Sequence, residues 1–170
     1  MLLSHAVSRR LLRLACGFFS MHLLLTACGD DKKDEPKIVT ASPNFDSLWT
    51  TVFENRCSTC HSPAAGNEQT RGGPDLSTKE TFYAALVGKV GRDYPDWTTF
   101  TKNRGTCASV SFIKAGDAAN SMVVAILDSS VAPCRVYDHV DTGQVPKETV
   151  ATPGNIAALK QWINTGAAQK

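Results

Sequence analysis

Five residues constrain this chain more than any others: Cys57, Ser58, Thr59, Cys60 and His61. The run C-x-x-C-H sets two thiols three positions apart, with an imidazole directly after the second. On one turn of helix, residues three and four apart share a face. Cys57, Cys60 and His61 can therefore address one flat object from one side. Half a zinc site has the same pair of thiols, but its second half is missing. Cys107 and Cys134 stand far apart and lack a nearby His at zinc spacing. A thioredoxin-like redox pair needs a βαβ frame, and no such pattern surrounds the motif. A chance occurrence in a structural protein is the third alternative.

The reading that uses the whole motif is covalent attachment of one haem (heme c). Two thiols add across two vinyl groups on one porphyrin edge, so both must face that edge. Cys57 and Cys60 are then the thioether residues, and His61 is the proximal iron ligand.

The start of the chain bears on this reading. Arg9, Arg10 and Arg13 form a basic region, Leu14 to Leu25 an apolar stretch, and a small-residue junction follows. Residues 1–27 read as an export signal, outside the fold. The junction Leu25-Thr26-Ala27-Cys28 resembles the lipobox of bacterial lipoproteins, in which the Cys becomes residue one and carries lipid. The alternative is an ordinary signal with an incidental Cys. Cys16 fits worse, because Arg13 stands where the lipobox wants an aliphatic residue. Ser8-Arg9-Arg10-Leu11-Leu12 loosely resembles a twin-arginine signal. That route exports folded proteins, whereas c-type haem is attached after export of an unfolded chain. Gly29 is not the Asp that resembles an inner-membrane retention signal, which leans the anchor toward the outer membrane.

Export gives the six cysteines their meaning. The compartment is oxidising. Cys16 leaves with the signal, Cys28 is expected to be lipidated, and Cys57 and Cys60 hold haem. Cys107 and Cys134 remain as a candidate disulfide, against the alternative of two buried free thiols. Charge says little about partners. Three of the 18 basic residues leave with the signal, and the 15 left face 16 acidic ones, a net of about −1. No basic patch suggests nucleic acid.

Residues 28–41 are polar and charged and read as a flexible tether. Residues 42–170 have the length of a single domain. Ser42-Pro43 predicts a helix start, with Ser as cap and Pro first. Phe45, Leu48, Val52 and Phe53 recur at helical spacing, with Trp49 beside them, and the helix runs into Cys57. Ser77-Thr78-Lys79-Glu80 predicts a capping box and a helix with Phe82, Leu86 and Val87 on one face, ending near Gly88. Residues 91–111 read as an irregular insertion. Gly116-Asp117 predicts the next helix, striped by Met122, Val123, Ile126 and Leu127. A loop spans Ser129 to Lys147. Thr152-Pro153 opens the last helix, lined by Ile156, Leu159 and Ile163 with Trp162 adjacent, and Gly166 closes it.

Gly73-Pro74-Asp75-Leu76 follows the motif, and G-P-x-L after C-x-x-C-H resembles the class I cytochromes c. The resemblance implies an all-α fold around the haem. It implies that the Pro74 carbonyl accepts the His61 N–H and that Leu76 packs on the ring. Closer still, Cys107, Gly116-Asp117, Ser121, Cys134 and Trp162-Ile163-Asn164-Thr165-Gly166-Ala167 match the pattern of a lipoprotein-like subgroup. The resemblance covers about Phe45 to Ala168 and implies that Trp162 packs toward the first helix and the haem edge. It departs from the family at the distal ligand. The family's Met-Pro stands here as Val145-Pro146, and Val cannot ligate iron. His139, six residues earlier, is the expected distal ligand, against the alternative of a solvated loop histidine. Met122 is the weaker candidate, since it lies in an apolar stripe, and Lys147 is weaker still.

The implied function is single-electron transfer between periplasmic or membrane redox proteins, by a domain tethered through a lipid anchor to the periplasmic side of a bacterial membrane. No catalytic triad, phosphate loop or zinc motif points to an enzyme. A haem sensor or peroxidase-like protein with an open distal site is the alternative that Val145 keeps open. A haem that serves only to hold the fold is the third.

Overall fold

A four-residue helix cannot stand alone in water, so the first helix has to be held by what it packs on. In the computed structural model, α1 spans Phe45–Leu48. Its cap is Asn44, and the expected Ser42-Pro43 start lies before it. Asn44 Oδ1 accepts the Ser47 N–H (2.9 Å), while Ser47 Oγ accepts the Ser42 N–H (2.8 Å). The better-placed acceptor wins the orphan amide of the first turn. The helix continues through a wider π-type turn, Trp49–Phe53, in which the Glu54 N–H reaches the Trp49 carbonyl. It then resumes as α2, Glu54–Cys57.

The structure describes residues 38–63, 72–97, 107–131, 143 and 145–170, all within one unit, Pro36–Lys170. Helix α3 is Lys79–Leu86. Its capping box is Thr78 with Thr81, not Glu80: each threonine hydroxyl accepts the other's backbone N–H, at 3.2 and 3.0 Å. Helix α4 is Met122–Leu127. The expected start at Gly116-Asp117 is a separate 3₁₀ turn, Ala118–Asn120, capped by Asp117. Helix α5, Pro153–Asn164, begins as the sequence predicts, with Thr152 Oγ1 accepting the Asn155 N–H. The described residues form no strand, only two isolated bridges, so the fold is all-α. None of their helices is long and apolar enough to cross a membrane.

The core gathers where α1, α3 and α5 meet. Phe45 stacks on Trp162 (centroids 5.4 Å apart, planes at 13°) and meets Tyr83 edge-on at 5.3 Å. Phe82 stacks on Phe53 at 4.4 Å and takes Trp49 edge-on. The polar tips are satisfied at the C-terminal tail. Trp162 Nε1–H donates to the Ala168 carbonyl (2.8 Å) and Tyr83 OH to that of Ala167 (3.0 Å). At the other end, Ala41 is buried and its N–H donates to Asn155 Oδ1 (2.8 Å). The packed body thus takes in the last residue of the expected tether.

Backbone bonds tie the two flanks of the segment read as irregular to each other, and one more joins the two ends of the segment itself. Gly88 N–H donates to Ile113 O, Ile113 N–H to Leu86 O, Phe112 N–H to Lys89 O and Arg92 N–H to Ala108 O, all at 2.8–3.1 Å. Cys107, fully buried, is disulfide-bonded. Its expected partner, Cys134, lies outside the described residues.

Trp162 is 2% exposed and central to the aromatic cluster. Trp162→Ala is expected to cost about 3–5 kcal/mol, read as a shifted denaturant midpoint at unchanged slope. Lys160 Nζ meets Asp128 Oδ2 at 2.7 Å. That hydrogen bond, with help from Ser130, holds the Asp128 carboxyl below its ordinary range. A lowered folded value stabilises above the unfolded carboxylate pKa of about 3.9, and the gain is lost as pH falls through the folded value. Lys160 is a third exposed, so the pair contributes about 1 kcal/mol or less. Asp128→Asn should therefore lower the urea midpoint at pH 7 and make no difference at a pH below the folded value.

Candidate functional site

The C-x-x-C-H run begins on the last residue of α2. Ser58 Oγ donates to the Glu54 carbonyl, and Thr59 Oγ1 to that of Asn55 (3.2 Å). These hydroxyls satisfy carbonyls that a helix end leaves orphaned. The turn is completed by Cys60 N–H and His61 N–H, both donating to the Cys57 carbonyl, at 3.2 and 2.7 Å. Cys57 is half-buried against the core and Cys60 is exposed; both are free thiols. Burial pushes the Cys57 thiol up to about 12, and the neighbouring Cys60 adds to the rise. His61 is half-buried, with its Nδ1 fully so.

The second segment is joined to the first by one backbone bond, from the Leu76 N–H to the His61 carbonyl (2.7 Å). Pro74 and Leu76 are both buried. Asp75 Oδ1 accepts the Ser77 N–H (2.9 Å), a turn that leads straight into the Thr78 cap of α3. One backbone bond thus joins the segment that carries Cys57, Cys60 and His61 to the one that carries Pro74 and Leu76, and both segments are rooted in helices.

Sequence reasoning missed Trp97, inside the stretch read as irregular. Its indole meets the His61 imidazole edge-on, centroids 6.1 Å apart and planes at 86°. Gly72 and Gly73 make room for it. Gly72 has φ +74°, and a Cβ there would overlap the Asp96 carbonyl; one on Gly73 would lie 3.0 Å from the Trp97 ring. Two adjacent glycines and a Trp well downstream of them were the only signal in the sequence.

Of the distal candidates, Met122 is 1% exposed, inside the cluster that also holds Leu76 and Val145. Val145 is buried and Lys147 exposed. His139 lies outside the described residues, as does Cys28. Among the described residues, no group of three or more His, Cys, Asp or Glu could hold a metal ion. No family model, curated protein or solved structure matches the chain.

The two thiols should differ in reactivity, since the thiolate and its access govern attack. In the reduced, haem-free chain, iodoacetamide is expected to label Cys60 at least about tenfold faster than Cys57. Peptide mass spectrometry would read the order, and faster labelling of Cys57 would contradict this burial.

Proposed function

We propose that this chain is an exported, lipid-anchored c-type cytochrome that carries one covalent haem and passes single electrons between periplasmic or membrane redox partners. The observation that carries the reading is the C-x-x-C-H turn with its G-P-x-L segment bonded to it through Leu76 and His61. When bound, the haem supplies a one-electron couple at iron. The chain's own residues do the rest. Each thiol, of Cys57 and of Cys60, would hold the group by adding across one vinyl C=C, sulfur to one carbon and its hydrogen to the other, with nothing oxidised. His61 would offer one ring nitrogen to iron. Its other ring N–H faces the task of fixing the tautomer, for which the Pro74 carbonyl is the proposed acceptor. Leu76 supplies apolar wall, which keeps the site's dielectric low.

The proposed anchor is lipid on Cys28, and the proposed bridge is Cys107–Cys134. His139 is the proposed distal ligand. A second reading, an open distal site that binds a small ligand, is favoured by one observation: buried Val145 stands where the family carries its Met.

Intact mass under denaturing conditions should equal the chain from Cys28 plus one haem plus acyl groups. A haem that acid acetone extracts would overturn covalent attachment. His139→Ala should convert a low-spin ferric spectrum to high-spin and open the ferrous protein to CO. Ready CO binding by the unaltered protein would favour the second reading.

A further inference from the structure

The indole of Trp97 has no role in the attachment chemistry, yet it is built into the site from two sides. It is half-buried, and its backbone N–H is tied to the Tyr94 carbonyl (3.0 Å). Phe112, buried and held by its own backbone bond to Lys89, packs on it at 6.2 Å. Gly73 presents it a surface with no side chain. On the side that remains, it meets the imidazole of His61 at 86°. Aromatic rings prefer this edge-to-face arrangement, which contributes beyond the area it buries. An imidazole on a short side chain has two soft torsions, and the second is broad. A rigidly held partner ring narrows it.

We propose that Trp97 is a positioning residue whose indole, braced by Gly73 and Phe112, fixes the rotation of the His61 imidazole. Its consequence for the iron rests on the haem reading above. The plane of an axial imidazole sets which iron orbitals it overlaps. Its orientation is therefore visible in the ferric electronic structure, separately from stability or electron-transfer rate.

The test compares the full-length protein with Trp97→Leu, Trp97→Phe and Gly73→Ala. Denaturing mass measures covalent haem in each, which decides the underlying reading independently. In the loaded proteins, EPR g values and hyperfine-shifted haem methyl resonances report the imidazole plane. Trp97→Leu is expected to shift or broaden both, and Trp97→Phe to restore most of the original pattern. Gly73→Ala keeps the indole but crowds it at 3.0 Å, and should move the same signals in a protein that keeps its tryptophan. If mass shows no covalent haem, the His61 ring C–H resonances of the haem-free chain take their place. They should carry a ring-current displacement that Trp97→Leu abolishes. Signals unmoved by both Trp97→Leu and Gly73→Ala, in whichever form the protein takes, would overturn the proposal.

Discussion

The stack of Phe45 on Trp162 is the contact from which the rest of the structure hangs. It joins a four-residue helix to the longest among the described residues, across most of the sequence. Such a pair contributes about 0.5–1.5 kcal/mol beyond the area it buries, and here it recruits more. Tyr83 closes on the same Phe45 ring and ties its hydroxyl to the C-terminal tail, whose next carbonyl takes the Trp162 indole N–H. Three helices and the chain end are thereby fixed by one aromatic side chain. Because α1 runs on without a break into α2, the direction in which Cys57 leaves the core is set by this contact.

A second knot joins two remote stretches of the chain. Gly116, at φ +81°, turns its N–H onto the Ile163 carbonyl (2.7 Å), and the Ala118 N–H finds Asn164 Oδ1 (2.9 Å). Ser121, fully buried, donates its hydroxyl to the Asp117 carbonyl and accepts the Lys114 N–H. Two stretches that look like separate signatures in the sequence, Gly116-Asp117 to Ser121 and Trp162 to Ala167, are two halves of one hydrogen-bonded junction. A buried hydroxyl with both its donor and acceptor used holds a unique arrangement better than an apolar side chain would.

What the sequence makes legible follows from how local each signal is. Thr152-Pro153 places the start of α5 correctly because cap and proline act within one turn. The stripe of α1 points inward as its spacing predicts, and so do Leu159 and Ile163 of α5, while Ile156 is half-buried. On α4 burial runs round the helix through Val124 and Ala125, and Ile126 of the expected stripe is the half-buried residue. The failures lie where several residues compete for one partner. Ser42 and Asn44 can each cap α1, and the choice depends on which side chain reaches Ser47. Thr81 displaces Glu80 from the capping box because its hydroxyl stands at the third helical position. Trp97 escaped notice because its partners, Gly73 and His61, are remote in sequence, and no periodicity joins them. Within the site, the C-x-x-C-H run and the Pro74-Leu76 segment are short, local patterns visible in the sequence; the bond that joins them, from the Leu76 N–H to the His61 carbonyl, comes from the structure.

The π-type turn at Trp49–Phe53 holds one residue more than an α-helical turn. With 3.6 residues per turn, one residue amounts to about 100° of rotation. The aromatic anchor lies upstream of it and the two thiols downstream, so this single extra residue sets the angle between them. Length is therefore under tighter constraint here than composition. Trading one apolar side chain for another in this segment would disturb packing locally. Losing or gaining one residue would swing Cys57, Cys60 and His61 together off the Leu76 face while leaving every one of them in the sequence. A motif search would still find the site intact in such a chain, and the site would have no wall to close against.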